Sequence, residues 1–542
     1  MKLNAVVSAL LVSLAVALPA LAASNVAPLN LSPFNTSGKW ITAKDGRVFI
    51  SHGLNSDNKV APYEPFLRPE DADLMAKEGF TNVRLGVHWS EFEPEPGKYN
   101  EAYIESTRKH IAMLHERGIY TLLAFMVANY SEDFVGEGAP KWAVFTDGIP
   151  NIKTNDYLIA LSNPAEWRAY DNFWANRKAS DGVGIQDHYA KLWAHLALRL
   201  RNEPGVLGFD IMNEPQAGTT MPACMASGYV FGCPDADAKF SAFSAKMEKA
   251  IHQVDPNRLV FFEPNYLPGV KSNTVLKAPR TVFSFHNYCP TMILRQLSLP
   301  YVAPSDTYGL CFAMEANTIK IHHDKSIKDG NAVMMNEFGA TEDVKDIAHV
   351  MDVADKYQLG WTEWAWWAKD DAGSGDDGHR PWEGVIYDRF APPSGDNLNH
   401  EKLNVLSRPH PLLVSGTPTA YKYDMPTRTF TLSYKTALPG ARANPDLLTE
   451  VMLPVRQYPN GYNAVVTGGT RVSAPGAPLL LIKAQPWATT VSVRVTPTGA
   501  LPPVVAPVVS LIPKVVLPDL KAKLVGVAEE LRKDPLSWLP KW

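Results

Sequence analysis

Between about residues 40 and 400, short apolar runs alternate with stretches whose apolar residues recur at helical spacing. The runs are Val48-Phe49-Ile50, Asn82–Val87, Tyr120–Phe125, Val206–Met212, Leu259–Phe262, Val282–Phe285, Ala332–Met335 and Gly360–Trp364. They are nearly continuous, as strands buried on both faces require. Between them, Glu101–Glu116 carries Tyr103, Ile104, Ile111 and Leu114 on one side, and Asp187–Arg201, Asp237–Val254 and Asp343–Tyr357 repeat that spacing. Eight such alternations predict an α/β protein built on a (β/α)8 TIM barrel, residues 40–410. A doubly wound open sheet would want a Gly-rich phosphate turn after its first strand, and His52-Gly53-Leu54-Asn55 is not one.

From residue 411 the texture changes to alternating segments such as Thr429–Tyr434, Leu479–Ile482 and Val491–Val495, separated by turn signals. This predicts a small antiparallel β-sandwich over residues 411–497. Residues 498–542 read as a Pro- and Val-rich linker and an amphipathic tail, expected to pack on the body rather than on a membrane surface. At the other end, Lys2, the apolar stretch Ala5–Leu18 and Ala20-Leu21-Ala22 predict a secretory signal peptide over residues 1–23. Four cysteines in an exported chain suggest two disulfides, with Cys224–Cys233 and Cys289–Cys311 favoured among three pairings.

Charge and composition narrow the function. Lys+Arg 52 against Asp+Glu 56 leaves a net charge of −4 with no basic block, which argues against a nucleic-acid partner. With 14 Trp, 20 Tyr and 21 Phe the chain has the apolar bulk of a folded protein. No P-loop, dinucleotide fingerprint or Gly-x-Ser-x-Gly elbow is present. No cofactor and no metal is expected: His322-His323-Asp324 lacks a spaced third ligand and is expected at the surface. The chain is expected to act as a monomer.

Chemistry in a barrel of this kind sits at the carboxyl ends of strands. Two glutamates end apolar runs there: Glu214 in Asn213-Glu214-Pro215, after the fourth, and Glu337 in Asn336-Glu337-Phe338, after the seventh. Facing carboxyls are what hydrolysis of a glycosidic bond needs, one to protonate the leaving oxygen and one to attack. Asn202-Glu203-Pro204 repeats the tripeptide but precedes a strand, so Glu203 reads as a surface residue at the barrel's bottom.

With Asn82-Val83-Arg84-Leu85-Gly86-Val87, His286-Asn287-Tyr288, Asn336-Glu337-Phe338-Gly339, Trp361-Thr362-Glu363-Trp364, Gly138–Ala143 and Arg408-Pro409-His410-Pro411, the chain resembles family 5 glycoside hydrolases of the endoglycoceramidase type. The resemblance implies a secreted, retaining β-glycosidase that cleaves between saccharide and lipid, making a glycolipid or β-glycoside its partner, with transient membrane-surface contact. It implies Glu214 as acid/base and Glu337 as nucleophile. Asn213 would bond the sugar 2-hydroxyl. Arg84 and Tyr288 would hold Glu337 ionised, His286 would orient Glu214 or touch sugar, and Trp364 would stack on a pyranose ring.

One stretch departs from the pattern. Chains of this type usually carry Asp-x-His-Gln-Asp at the third strand's end, where this one has Ala124-Phe125-Met126-Val127-Ala128. Loss of polar partners alters sugar specificity, because hydroxyls then lie unpaired. A β-glucosidase, β-glucanase or steryl-glucosidase is therefore the first alternative, and a non-catalytic carbohydrate- or glycolipid-binding protein the second. Phe125, Met126, Val127, Phe134, Trp142 and Phe145 suit either a lipid-receiving mouth or the packing of a long loop.

Overall fold

The structure, a computed structural model, describes residues 30–152, 163–224, 232–265, 270–289, 304–367 and 383–499. The signal peptide expected over residues 1–23 and the tail beyond residue 499 lie outside them. No helix among the described residues is long and apolar enough to cross a membrane.

Three short strands come first: β1 (Asn35–Ser37), β2 (Trp40–Thr42) and β3 (Val48–Phe49). The barrel follows with β4 (His52–Ser56), β5 (Asn82–Val87), β6 (Tyr120–Phe125), β7 (Val206–Asp210), β8 (Leu259–Phe262), β9 (Thr281–Asn287), β10 (Ala332–Phe338) and β11 (Gly360–Glu363). These eight strands close parallel, β11 returning to β4 through Trp361 opposite His52. Nearly every residue in them is buried, which is why their sequences do not alternate.

The first barrel strand is not the one expected. Val48-Phe49 pairs with Val414 and Leu413 in the outer sheet, and His52–Ser56 takes the barrel position. Its sequence hides it, because its side chains serve the barrel's polar interior. Asn55 donates to the Asn336 and Glu363 carbonyls at 3.2 Å each, while His52 stacks on Trp361 and His410. Gly53 is required, since a Cβ there would stand 2.0 Å from the Asn82 carbonyl oxygen.

The helices follow their apolar spacing. Glu101–His115 starts at Asn100, whose side chain accepts from the Tyr103 amide, and it buries Tyr103, Ile104, Ile111 and Leu114. Val344–Tyr357 is capped by Asp343 and ends at Gln358 in the left-handed conformation, φ 54°. His322 and His323 are buried in helix Pro304–Asp329, His322 against Phe285, where surface placement was expected. His322 packs where the helix meets β9 and His323 against Tyr357 of the neighbouring helix, which the adjacent charges in the sequence conceal.

The C-terminal strands are β12 (His410–Val414), β13 (Thr417–Asp424), β14 (Thr429–Lys435), β15 (Leu448–Met452), β16 (Tyr462–Thr467), β17 (Gly469–Arg471), β18 (Leu479–Ala484) and β19 (Thr490–Pro497). One sheet runs β13-β14-β19-β16. The other runs β1-β2-β3-β12-β15-β18-β17, so strands from before the barrel complete the antiparallel C-terminal region. Both favoured disulfides form, Cys224–Cys233 and Cys289–Cys311.

Candidate active site

Two local irregularities aim the site. Consecutive residues of a regular strand face opposite ways, yet β10 shifts register between Met335 and Glu337. That bulge lets Asn336 and Glu337 both point into the barrel. Past the end of β7, Glu214 adopts φ 44°, a left-handed conformation costing an ordinary residue about 1–3 kcal/mol and concentrated at functional sites. Asn213 and Glu214 thereby reach the same space.

The structure brings Arg84, Asn213, Glu214, His286, Tyr288 and Glu337 into one hydrogen-bonded cluster. Arg84 Nη1 donates to Glu337 Oε2 at 2.7 Å, and the Tyr288 hydroxyl donates to Glu337 Oε1. His286 Nδ1 lies 2.7 Å from Glu214 Oε1 and 3.5 Å from Glu337 Oε1. One carboxylate oxygen from each glutamate and a ring nitrogen of His286 all lie within 4.8 Å of one another. Arg84 Nη2 donates to Asn213 Oδ1 at 2.8 Å, orienting that amide. Three such ligand atoms could also surround a cation; here His286 Nδ1 is bonded to Glu214 and its Nε2 to Glu263.

Trp364 flanks the cluster. It packs with Ala124, Met126, Ala340 and Tyr288, its indole N–H donates to Glu383 Oε2 at 3.2 Å, and Lys59 Nζ stands 4.7 Å over its ring. Met126 therefore fills apolar space beside Trp364. Phe125 and Phe134 are fully buried, and Trp142 packs edge-on to Trp89 at 5.3 Å. These residues pack the long loop onto the barrel. Glu203 precedes β7, where Asn213 and Glu214 follow it, and pairs with Arg108 at 3.2 Å.

Four polar residues that the motif reading did not single out complete the network. Glu263, Asp210, Asn336 and Asn55 all bond within it. Glu263 follows the Leu259–Phe262 run directly, so the strand-end criterion that selects Glu214 also reaches it. Arg84 Nε donates to Asp210 Oδ2 at 2.9 Å, and Asn336 donates to both Asp210 and Glu263.

Burial and charge oppose each other here. Burial pushes Asp210 up to about 8, with repulsion from Glu263 adding to it against Arg84. Burial would also raise Glu263, but His286 and Arg84 outweigh it and hold that carboxyl near 2. Burial alone would lower His286; the charges of Glu263 and Glu337 reverse this and keep the ring protonated well above its usual range. Glu337 is raised by burial, with His286, Arg84 and the Tyr288 hydroxyl pulling toward the anion. Arg84 and His286 thus pull Glu263 and Glu337 toward the anion against the burial that opposes it.

The model of the cellulase family, glycosyl hydrolase family 5, matches residues 44–370. The chain belongs to glycosyl hydrolase family 5. The family 5 C-terminal domain matches residues 408–496. Among similar proteins, endoglycoceramidase I of Rhodococcus hoagii (strain 103S) is 27% identical over 470 residues, 84% of this chain and 86% of that protein. Endoglycoceramidase of Hydra vulgaris is 24% identical over 475 residues, covering 79% of this chain and 82% of that protein. The solved lactosyl-enzyme intermediate of endo-glycoceramidase II from Rhodococcus sp. is similar with TM-score 0.63 and 25% identity, covering 84% of this chain and 99% of that one. This family 5 chain is a retaining glycoside hydrolase.

Proposed function

We propose that this family 5 enzyme is an exported endoglycoceramidase-type hydrolase, cleaving the β-glycosidic bond between a saccharide and its lipid. The observation that carries the reading is the convergence of Glu214 and Glu337, within 4.8 Å of each other and of His286. Retaining enzymes hold their carboxyls about 5–5.5 Å apart, the span of one anomeric carbon.

In this reading Glu337 Oε1 or Oε2 attacks the anomeric carbon while Glu214 gives its proton to the lipid-side oxygen. The bond to the lipid breaks and a glycosyl ester forms on Glu337. Water, deprotonated by Glu214, then attacks the same carbon, frees the saccharide with its configuration retained and returns both side chains to their starting states. Arg84, His286 and Tyr288 favour the Glu337 anion against burial. Asn213, held by Arg84, presents its amide to the sugar 2-hydroxyl, a contact that strengthens in the transition state. Trp364 supplies an apolar platform for the ring. The glycolipid part of the reading rests on likeness to the endoglycoceramidases of Rhodococcus hoagii and Hydra vulgaris.

Mass spectrometry of the products from a mixed pool of glucosylceramide and longer glycosphingolipids tests it. Intact oligosaccharide plus ceramide is expected. Release of glucose alone, or turnover confined to soluble aryl glucosides, would favour the glucosidase reading that Met126 and Ala128 motivate. Binding without any product would favour the non-catalytic one.

A further inference from the structure

Glu263 is buried at the end of β8 and makes more contacts within the cluster than the chemistry of two glutamates requires. Its Oε2 accepts the backbone N–H of Glu214 at 2.8 Å. Its Oε1 lies 3.1 Å from His286 Nε2, and the other nitrogen of that ring meets the Glu214 carboxyl at 2.7 Å. The same Oε1 accepts from Asn336 Nδ2 at 2.7 Å and Arg84 Nη2 at 3.2 Å.

The geometry points to Glu263 as a positioning residue for the acid/base carboxyl, gripping Glu214 from two directions. Oε2 fixes the left-handed backbone of Glu214, and Oε1 fixes the imidazole that orients its side chain. The inference rests on the reading of Glu214 as acid/base. A left-handed glutamate relaxes by rotating its backbone, which would swing the carboxyl away from the anomeric oxygen, and the N–H bond to a buried anion opposes that rotation. The ring of His286 is similarly constrained. The groups facing it are Glu263 from β8, Glu214 beyond β7, Asp210 within β7, Glu337 on β10, Tyr288 beyond β9 and Arg84 on β5. Among the described residues only Glu263 bonds its Nε2, so Glu263 sets the direction in which Nδ1 points. Asn336 and Arg84 in turn hold Glu263, tying the acid/base side of the site to the nucleophile side.

Leaving-group dependence tests this, because a dinitrophenolate departs without a proton and an alkoxide or simple phenolate does not. The full-length enzyme and its Glu263→Gln variant are assayed on 2,4-dinitrophenyl and phenyl β-lactosides, or on the β-glucosides if lactosides are not turned over. For Glu263→Gln, kcat/KM is expected to fall about 10–100-fold on the phenyl glycoside and less than about 3-fold on the dinitrophenyl one. Equal losses on both, a structural effect, or no loss on either would overturn the inference. If Glu263→Gln does not fold, judged by near-UV circular dichroism, Glu263→Asp keeps the buried charge with a shorter reach and should give a smaller split of the same sense. Glu214→Gln run alongside separates the two readings. If it shows no split, the acid/base assignment fails; if it splits and the Glu263 variants do not, only the role of Glu263 fails.

Discussion

The Tyr288 hydroxyl donates to Oε1 of Glu337, the carboxylate oxygen opposite the one that Arg84 holds at 2.7 Å. Glu337 is buried, and burial raises its carboxyl above the ordinary range, so its anion depends on these donors and on His286. Removing a donor to the charged form raises a carboxyl's pKa further. Tyr288→Phe should therefore move the acid limb of the kcat/KM profile to higher pH, by about one unit, and lower kcat at the optimum. The pH–rate profile of the variant checks it. An unmoved acid limb would show that Tyr288 does not tune Glu337.

Asp210 carries a second pH signature. Its carboxyl is raised from 3.8 to about 8, so between those values the folded chain keeps a proton that the unfolded chain releases. The unfolded state then binds fewer protons, and stability falls as pH rises through that window. Asp210→Asn mimics the protonated acid. Denaturant midpoints taken from pH 5 to pH 8 should fall less for Asp210→Asn than for the parent chain. Parallel curves would mean that Asp210 is ionised throughout.

Lys402 and Glu363 form an ion pair at 2.5 Å with both side chains fully buried beneath Trp364. Burial pushes Glu363 up to about 7, with Lys402 opposing. Breaking such a pair from one side leaves an uncompensated charge, so Lys402→Met should destabilise the fold by about 3–5 kcal/mol. The loss should be greater at pH 8 than at pH 5, because Glu363 accepts a proton in acid. Adding Glu363→Gln should recover part of it, as urea unfolding of the single and double variants would show.

The barrel was legible because its strands are buried on both faces and its helices carry one apolar stripe, both local signals. Position at a strand's end also separated Glu214 from Glu203, which the tripeptide alone does not. What was hidden is long-range or polar. Val48-Phe49 looks like a barrel strand but pairs with Leu413 and Val414, more than 350 positions away. His52–Ser56 looks like a loop because its polar residues face the interior network. The bulge at Asn336 and the left-handed Glu214 leave no mark in hydrophobic periodicity, yet they turn neighbouring side chains toward one site. Glu263 ends an apolar run as Glu214 does, but its role emerges only once His286 is placed beside it.

In the proposed reaction Glu337 forms the covalent bond to sugar, with Glu214 as its proton-handling counterpart. Incubation with a 2-deoxy-2-fluoro β-glycoside bearing a dinitrophenyl leaving group, followed by proteolysis and tandem mass spectrometry, tests this most directly. A single glycosyl adduct is expected on the peptide bearing Glu337, formed also, and no more than slowly released, in Glu214→Ala. An adduct on Glu214 or Glu363, or a product of inverted configuration with no adduct, would contradict it.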